Sequence, residues 1–289
     1  MPYDPQTPAP PEAKKSIFGV IVHSFFVVPF LLAVFSVLLF AAVRILTMEK
    51  RSANDYLQDV KTGGLTKRWQ AAFELSRILS SKEKITHDDA FAGQMIEAFE
   101  ASKNDDDRVR QYLALAMARA GNEKFVDPLL KNIAEEKDEN VYAIITALGI
   151  LKNNKAVDVL LKYLDHDQAH IRLAAVIALG NIADGSTSSR IQAMLNDPEP
   201  NVAWDAAVAL AKLGDHSGKG MILNLLNRDY LKGFPNVGPQ QQSRIMLVAI
   251  ETTAGWQDPE INAVLNKLLE SDINMNVRVL ARKVLEQKS

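Results

Sequence analysis

The chain has 289 residues, of which 47% are hydrophobic and 24% are charged, and its formal net charge at pH 7 is −2. This length allows a sizeable core, and the slightly negative charge excludes the extended basic field that nucleic-acid-binding proteins use. The sequence contains no cysteine, which excludes disulfides and thiolate chemistry but fits a reducing and an oxidising compartment equally well.

The N-terminal region changes abruptly from polar to apolar. Residues 1–15, MPYDPQTPAPPEAKK, contain five prolines and almost no side chain suited to a core, so we predict a disordered tail. From Ile17 to Val43 no residue carries a fixed charge over 27 positions. A helix of that length measures about 40 Å at ~1.5 Å per residue, against ~30 Å for the hydrocarbon layer of a bilayer. We therefore predict a transmembrane helix over residues 16–47.

A cleaved signal peptide is the alternative interpretation of this run. Signal peptides usually have apolar regions of ~7 to 15 residues that end in small residues, whereas this run is longer and continues into bulky residues, which favours an uncleaved anchor. The basic residues near the span favour a cytoplasmic repeat domain in a single-pass membrane protein, with a periplasmic or exterior domain as the alternative. The C-terminal side has four such residues against two on the N-terminal side: Arg44, Lys50, Arg51 and Lys61 against Lys14 and Lys15.

The rest of the chain is repetitive. The branched residues Val109, Val141, Ile171 and Val202 begin similar helical segments at spacings of 32, 30 and 31 residues, and a fixed period of this size indicates an array of supersecondary units. A further copy begins at Asn276, and weaker copies begin at Lys67 and Ser243.

A second helical segment lies between each pair of copies. Asp127-Pro128 and Asp258-Pro259 combine an N-cap acceptor with a proline at the first helical position, which is a strong helix start signal. Each unit is thus predicted to be a helical hairpin of about 31 residues. We call its first segment the A helix and its second segment the B helix.

The A-helix segments resemble those of the HEAT-repeat family, including the short bacterial repeats related to those of phycobilisome lyases. The resemblance covers about residues 62–289, with a one-residue slip at Asn140–Gly149 and about ten extra residues in the sixth repeat. It implies an all-α, right-handed α-solenoid of six to seven hairpins over residues 66–289, after a linker at 48–65. The residues that carry it are Ile171, Arg172, Ala175, Ala178, Leu179 and Gly180.

Two details of packing follow from this comparison. The small residues Ala175 and Ala178 are expected to let the B helix approach closely. The resemblance also implies that an aspartate before each A helix pairs with the arginine after its leading residue, although such an aspartate can instead cap the helix without any partner. The residues concerned are Asp105, Asp167, Asp197 and Asp272, with Arg110, Arg172 and Arg278.

No catalytic motif is present. The sequence has no nucleophile elbow, Walker loop or dinucleotide-binding glycine motif. Asp165, His166, Asp167 and His170 are of metal-ligating types, but the two histidines straddle a predicted turn and no second ligand pair follows. We therefore expect no enzyme activity, no cofactor, no metal site and no small-molecule or nucleic-acid ligand.

One face of the A helices has an unusual composition. Counting from the leading residue, offsets 0, 4, 7, 8 and 11 should face the B helix, and offsets 2 and 6 should face solvent on the concave side. Large apolar residues occupy these exposed offsets and indicate a protein-binding groove. Alternatively, the register is off by one, or these side chains pack between neighbouring repeats. The residues are Trp69, Phe73, Tyr142, Leu173, Ile177, Trp204 and Val208.

A second candidate is the stretch 227–244, which interrupts the sixth repeat and contains Tyr230 and Phe234. Loops longer than about 12 residues are uncommon in compact domains, so this stretch is either a binding loop or a tolerated insertion. Two functions follow from the sequence. The first is a membrane-anchored scaffold that binds a protein partner, such as a subunit of a membrane complex. The second, taken from the resemblance, is a lyase-like helper for chromophore or bilin attachment.

Overall fold

The computed structural model describes residues 21, 23–47, 51–80 and 89–288. The predicted disordered tail, residues 1–15, and the start of the predicted transmembrane helix lie outside the described residues. Within the described ranges every element is helical and no strand occurs, which confirms the all-α prediction. The chain divides into two units, residues 1–51 and residues 52–289.

The first unit contains one turn of π-helix at His23–Val27, followed by α1 at Val28–Thr47. Between Phe25 and Arg44 the mean hydropathy is 2.8, and none of this stretch is buried. These 20 residues span about 30 Å at ~1.5 Å per residue, enough to cross a bilayer. A helix of this length and composition near an N-terminus is typical of a membrane span or of a signal sequence.

The second unit is a series of helical hairpins. It begins with α2 (Ala53–Thr62), which packs against the first A helix, so helical packing starts within the segment 48–65 that was predicted as a linker. The A helices are α3 (Leu65–Ile78), α5 (Asp107–Ala120), α7 (Asp138–Leu151), α9 (Ala169–Ile182), α11 (Pro200–Lys212), α14 (Pro239–Thr252) and α16 (Met275–Lys288). The B helices are α4 (Asp89–Ala101), α6 (Val126–Asn132), α8 (Val157–Lys162), α10 (Ser188–Ala193), α12 (Lys219–Leu225) and α15 (Pro259–Ser271). The extra helix of the sixth repeat is α13 (Arg228–Lys232).

The small residues of the A helices bring neighbouring A helices together. A Cβ atom on Gly149 would lie 2.7 Å from the Cα of Ala178, and one on Gly180 would lie 2.7 Å from the Cβ of Ala209. Ala178 thus admits Gly149 of the preceding A helix, a close approach that was predicted only for the B helix. Thin helices are needed here because α7 and α9 each pack between two other A helices.

Substituting Gly180 tests this close packing. In a helix interior, Ala is normally favoured over Gly by about 1 kcal/mol, but at Gly180 the added methyl group meets Ala209 backbone and overpacking costs about 1–3 kcal/mol. We expect Gly180→Ala to lower the unfolding free energy of the full chain in mild detergent, measured by urea titration with circular dichroism. Gly93→Ala in α4 is the matched control, because a Cβ there meets nothing within 4 Å and should stabilise the chain. A stabilising Gly180→Ala would contradict the proposed contact.

Four arginines each pair with an acidic residue of the following repeat, whereas Arg278 donates to the carbonyl oxygen of Asp272 in its own turn at 2.5 Å. In Arg172, one terminal nitrogen donates hydrogen bonds to the carbonyl oxygens of His166 and Asp167 in its own turn, each at 2.9 Å. Its Nε atom and its other terminal nitrogen each donate a hydrogen bond of 2.8 Å to the Asp197 carboxylate of the next repeat. The other ion pairs between successive repeats are Arg68–Asp105, Arg110–Glu136 and Arg228–Asp272.

This pairing corrects the prediction that each arginine pairs with the aspartate before its own A helix. The hydrogen bonds from Arg172 hold the pKa of Asp197 below its usual value. The Asp197 carboxylate also accepts a hydrogen bond from the Glu199 backbone amide at 2.9 Å. Of the two alternatives, Asp197 therefore shows the pairing, which joins successive repeats, and not the capping, because the N-cap of α11 is Glu199 without a side-chain cap hydrogen bond.

Candidate protein-binding face

The predicted register of the A helices is confirmed by burial. In α9, Ile171, Ala175, Ala178 and Leu179 are all at most 1% exposed, as expected for offsets 0, 4, 7 and 8. The opposite side of the A helices reaches solvent, and we call it the A face. It contains large apolar side chains that are 39–46% exposed: Phe73, Tyr142, Ile150, Ile177 and Val248.

The aromatic residues of the A face contact the next A helix as well as solvent. Trp69 is half-buried, with the Arg108 guanidinium 4.3 Å from its ring centre. Phe73 meets Tyr112 edge-on at 5.3 Å. Packing between neighbouring repeats, which was the alternative to a free surface, thus buries part of the surface of these rings.

A groove runs between α7 and α9 on the A face. The groove, which is open to solvent, has about 440 Å³ of empty volume and brings together three of the predicted residues, Tyr142, Leu173 and Ile177. Gly149 and Ala178 also line it, at the point where the two helices approach closely. None of its lining residues carries a formal charge, and the remaining ones are Thr146, Ile150, Ala174 and Asn181.

Trp204 does not belong to the exposed surface, which corrects the prediction. It is only 6% exposed, although its helix keeps the predicted register. Phe234 packs edge-on against the indole ring at 4.9 Å, and the indole Nε1 donates to the Tyr230 hydroxyl at 3.3 Å. The burial therefore comes from the extra residues of the sixth repeat, which cover the tryptophan.

The stretch 227–244 is consequently not an open loop. It contains α13 and the start of α14, and Tyr230 and Phe234 are half-buried against Trp204. The insertion also supplies Arg228, which holds the Asp272 carboxylate at 2.7 Å. The expectation that Tyr230 and Phe234 form a free binding surface is corrected, because these side chains complete the core.

A second groove lies between α11 and α14 and includes the predicted residue Val208, which is half-buried. It has about 580 Å³ of empty volume and combines apolar side chains with Asp205 and Arg244. Burial raises the pKa of Asp205. Asp205 was not among the residues predicted from the sequence. The signal that could have identified it is an acidic residue one position after Trp204, which occupies an offset predicted to be exposed. The remaining lining residues are Asn201, Trp204, Leu225, Gln241, Ile245 and Val248.

The surface of the B helices differs from the A face in its charge. Exposed acidic and basic side chains pair there between consecutive repeats, so their charges compensate each other. Exposed pairs of this kind contribute little to stability. They include Asp89–Lys124, Asp127–Lys155, Lys103–Glu135 and Asp165–Arg190, and the half-buried Lys219 and Asp258 pair in the same way.

The histidine-containing turn before α9 makes ordinary structural contacts. The Nδ1 atom of His166 accepts a hydrogen bond from the Gln168 amide at 3.1 Å, and the His170 ring packs near Tyr142. Across the described ranges, no group of three or more His, Asp or Glu side chains is arranged to hold a metal ion.

Comparison with known proteins agrees with this architecture. Residues 97–180 match the family model described as HEAT repeats. No curated protein matches the sequence. The chain resembles the structure of the complex of CpcE and CpcF of phycocyanin lyase from Nostoc sp. PCC7120, with 18% identity, a TM-score of 0.56 and coverage of 84% of this chain and 97% of that one.

A designed armadillo repeat protein in complex with peptide (KR)4 is also similar, with 18% identity and a TM-score of 0.42 over 83% of this chain and 100% of that one. The family match covers only part of the chain, and the structural likenesses concern the fold. The described part of the second unit is an all-helical repeat solenoid with a HEAT-like fold.

Proposed function

We propose that this protein is a membrane-anchored HEAT-repeat scaffold that binds a protein partner along its A face and has no catalytic role of its own. The observation that carries the proposal is the uncharged groove between α7 and α9. Its rim presents Tyr142, Ile150 and Ile177, each about 40% exposed or more. Solvent-exposed apolar grooves of this kind are typical of protein interfaces.

The shape of the surface favours an elongated partner. The A-face grooves follow the direction of the A helices, and the apolar residues recur from Phe73 in α3 to Val248 in α14. An amphipathic helix or an extended segment can place apolar side chains in such a groove. The B-helix side is a poorer candidate, because its charges already have partners within the chain.

The anchor part of the proposal rests on Phe25–Arg44. Every described side chain in this stretch is exposed, and it lacks a buried stripe that would mark it as a core helix. We propose that it spans the membrane once, with the repeats on the cytoplasmic side according to the flanking basic residues, and that the partner is a subunit of a membrane complex.

A pair of charge substitutions in the groove tests the scaffold proposal. We expect Tyr142→Asp with Ile177→Asp to abolish copurification of the partner from mildly solubilised membranes, because two carboxylates would have to be buried without partners. The melting temperature should change little, because both side chains reach solvent in the free protein. Ser189→Asp with Gln192→Asp is the matched control, since it adds the same charge to exposed positions on α10. Equal recovery of partner proteins with both variants would contradict the proposal.

A second candidate function is a helper role in chromophore or bilin attachment. It is supported by the likeness of the fold to the phycocyanin lyase complex, at 18% identity. Incubation with a bilin followed by an absorbance scan separates the two functions. A bound or transferred chromophore would favour the second candidate, and an unchanged bilin spectrum would favour the scaffold.

A further inference from the structure

The groove between α11 and α14 differs from the groove between α7 and α9 in one respect: it contains a carboxylate. Asp205 stands 31 residues after Ala174 and 62 residues after Ala143, so the three occupy equivalent positions of successive repeats. Both alanines are buried, at 5% and 4% exposure. An aspartate at such a position is a half-buried charge where the repeat otherwise accommodates a methyl group.

The Asp205 carboxylate has no compensating partner within the described part of the chain. No hydrogen bond or ion pair joins it to another described residue. Lys212 on the same helix attracts it only at a distance, because the Lys212 ammonium donates to the Asn181 side chain at 2.9 Å. Arg244 lines the same groove from α14 but forms no ion pair with Asp205. Burial accordingly raises the pKa of Asp205.

A half-buried carboxylate without a partner favours a ligand that supplies a cation. The surrounding groove supplies the rest of the recognition, since Val208, Ile245 and Val248 offer apolar contacts. Arg244 and Gln241 can donate hydrogen bonds to peptide carbonyl groups at its edge. The chemistry therefore matches an apolar peptide segment with one basic side chain.

We propose that the groove between α11 and α14 is a docking site for a lysine or arginine side chain flanked by apolar residues on the partner protein, with Asp205 as the residue that selects the cation. This inference rests on the proposed scaffold function and adds the chemical class of the partner segment. Asp205 thereby fixes the register in which a segment lies along the A face.

Selection from a peptide library tests the proposal. The full chain, held in phosphatidylcholine nanodiscs, is used to select from phage-displayed random dodecapeptides after counterselection on empty nanodiscs. We expect the enriched peptides to share a lysine or arginine between apolar residues. A synthesised representative should lose about tenfold or more in affinity towards Asp205→Asn, because the charge pair is lost at a half-buried position. Replacing its basic residue by norleucine should cause a similar loss with the natural chain and no further loss with Asp205→Asn.

Two controls separate recognition from folding. Glu251→Gln removes one exposed negative charge from the same helix as Arg244 and should leave the affinity unchanged. Asp205→Asn should melt at the same temperature as the natural chain or higher, because it removes a charge that burial disfavours. A lower melting temperature with unchanged peptide affinity would assign Asp205 a structural role and overturn the proposal.

Other outcomes are equally decisive. Enriched peptides without a basic residue, or no enrichment over empty nanodiscs, would overturn the proposal. A dimer of the natural chain that is lost in Asp205→Asn would also overturn it, because a second copy would then be the occupant. In each case the scaffold function is judged separately, by whether Tyr142→Asp with Ile177→Asp loses the partner.

Discussion

Replacing Trp204 with alanine is expected to destabilise the C-terminal repeats by about 3–5 kcal/mol, the usual cost of removing a large buried aromatic side chain. Trp204 is 6% exposed and belongs to the hydrophobic cluster that extends from α11 to α16. Its loss leaves a cavity beneath Tyr230 and Phe234 and removes an edge-on aromatic contact. Urea unfolding of the full chain in mild detergent measures the effect, and hydrogen exchange should place it in α11 to α16.

Phe73→Ala is the matched aromatic control for this experiment. Phe73 is 41% exposed, so its truncation should cost about 1 kcal/mol or less. If Trp204→Ala unfolded at the same urea concentration as the natural chain, the packing of the insertion over the indole ring would be refuted.

Replacing Arg110 with methionine is expected to destabilise the second and third repeats by a similar amount. Arg110 is only 1% exposed, and it pairs with Glu136, whose side chain is 6% exposed. Its guanidinium also donates to the Phe99 carbonyl oxygen at 2.5 Å and to Asn132 at 3.1 Å. Removing one partner of a buried ion pair leaves an uncompensated charge and typically costs about 3–5 kcal/mol.

The double substitution Arg110→Met with Glu136→Leu distinguishes pairing from loss of packing. If the stranded Glu136 carboxylate causes the penalty, the double variant should recover part of the lost stability, and the two effects should not add. Lys103→Met is the control, since it removes an exposed cation that pairs with Glu135, and we expect no change in the unfolding midpoint. Additive effects of the two buried substitutions would exclude Glu136 as the source of the penalty.

The repeat architecture could be predicted from the sequence because it depends on local signals. The 31-residue period, the alternation of A and B helices and the burial of Ile171, Ala175 and Leu179 follow from helical periodicity, and they are confirmed. The exposure of Tyr142 and Ile177 follows from the same periodicity, because both lie on the side of the helix opposite the core.

Contacts between distant residues could not be predicted in this way. Trp204 was expected to be exposed because nothing near it in the sequence covers it, and the Tyr230 hydroxyl that accepts a hydrogen bond from its indole N–H lies 26 residues later. The partner of Arg172 was likewise assigned to its own turn, whereas Asp197 lies 25 residues away on the next repeat.

The sequence by itself thus determined the period of the repeats, the amphipathic register of the A helices and the presence of one long apolar N-terminal segment. The tertiary structure alone decided which exposed offsets remain open and which acidic residue each arginine contacts. It also placed Asp205 in a groove where no described residue pairs with it. The physical reason is that helical periodicity fixes the direction of a side chain relative to its own helix. What that side chain then meets depends on how closely the next helix packs, and here the insertion before α14 changes that packing.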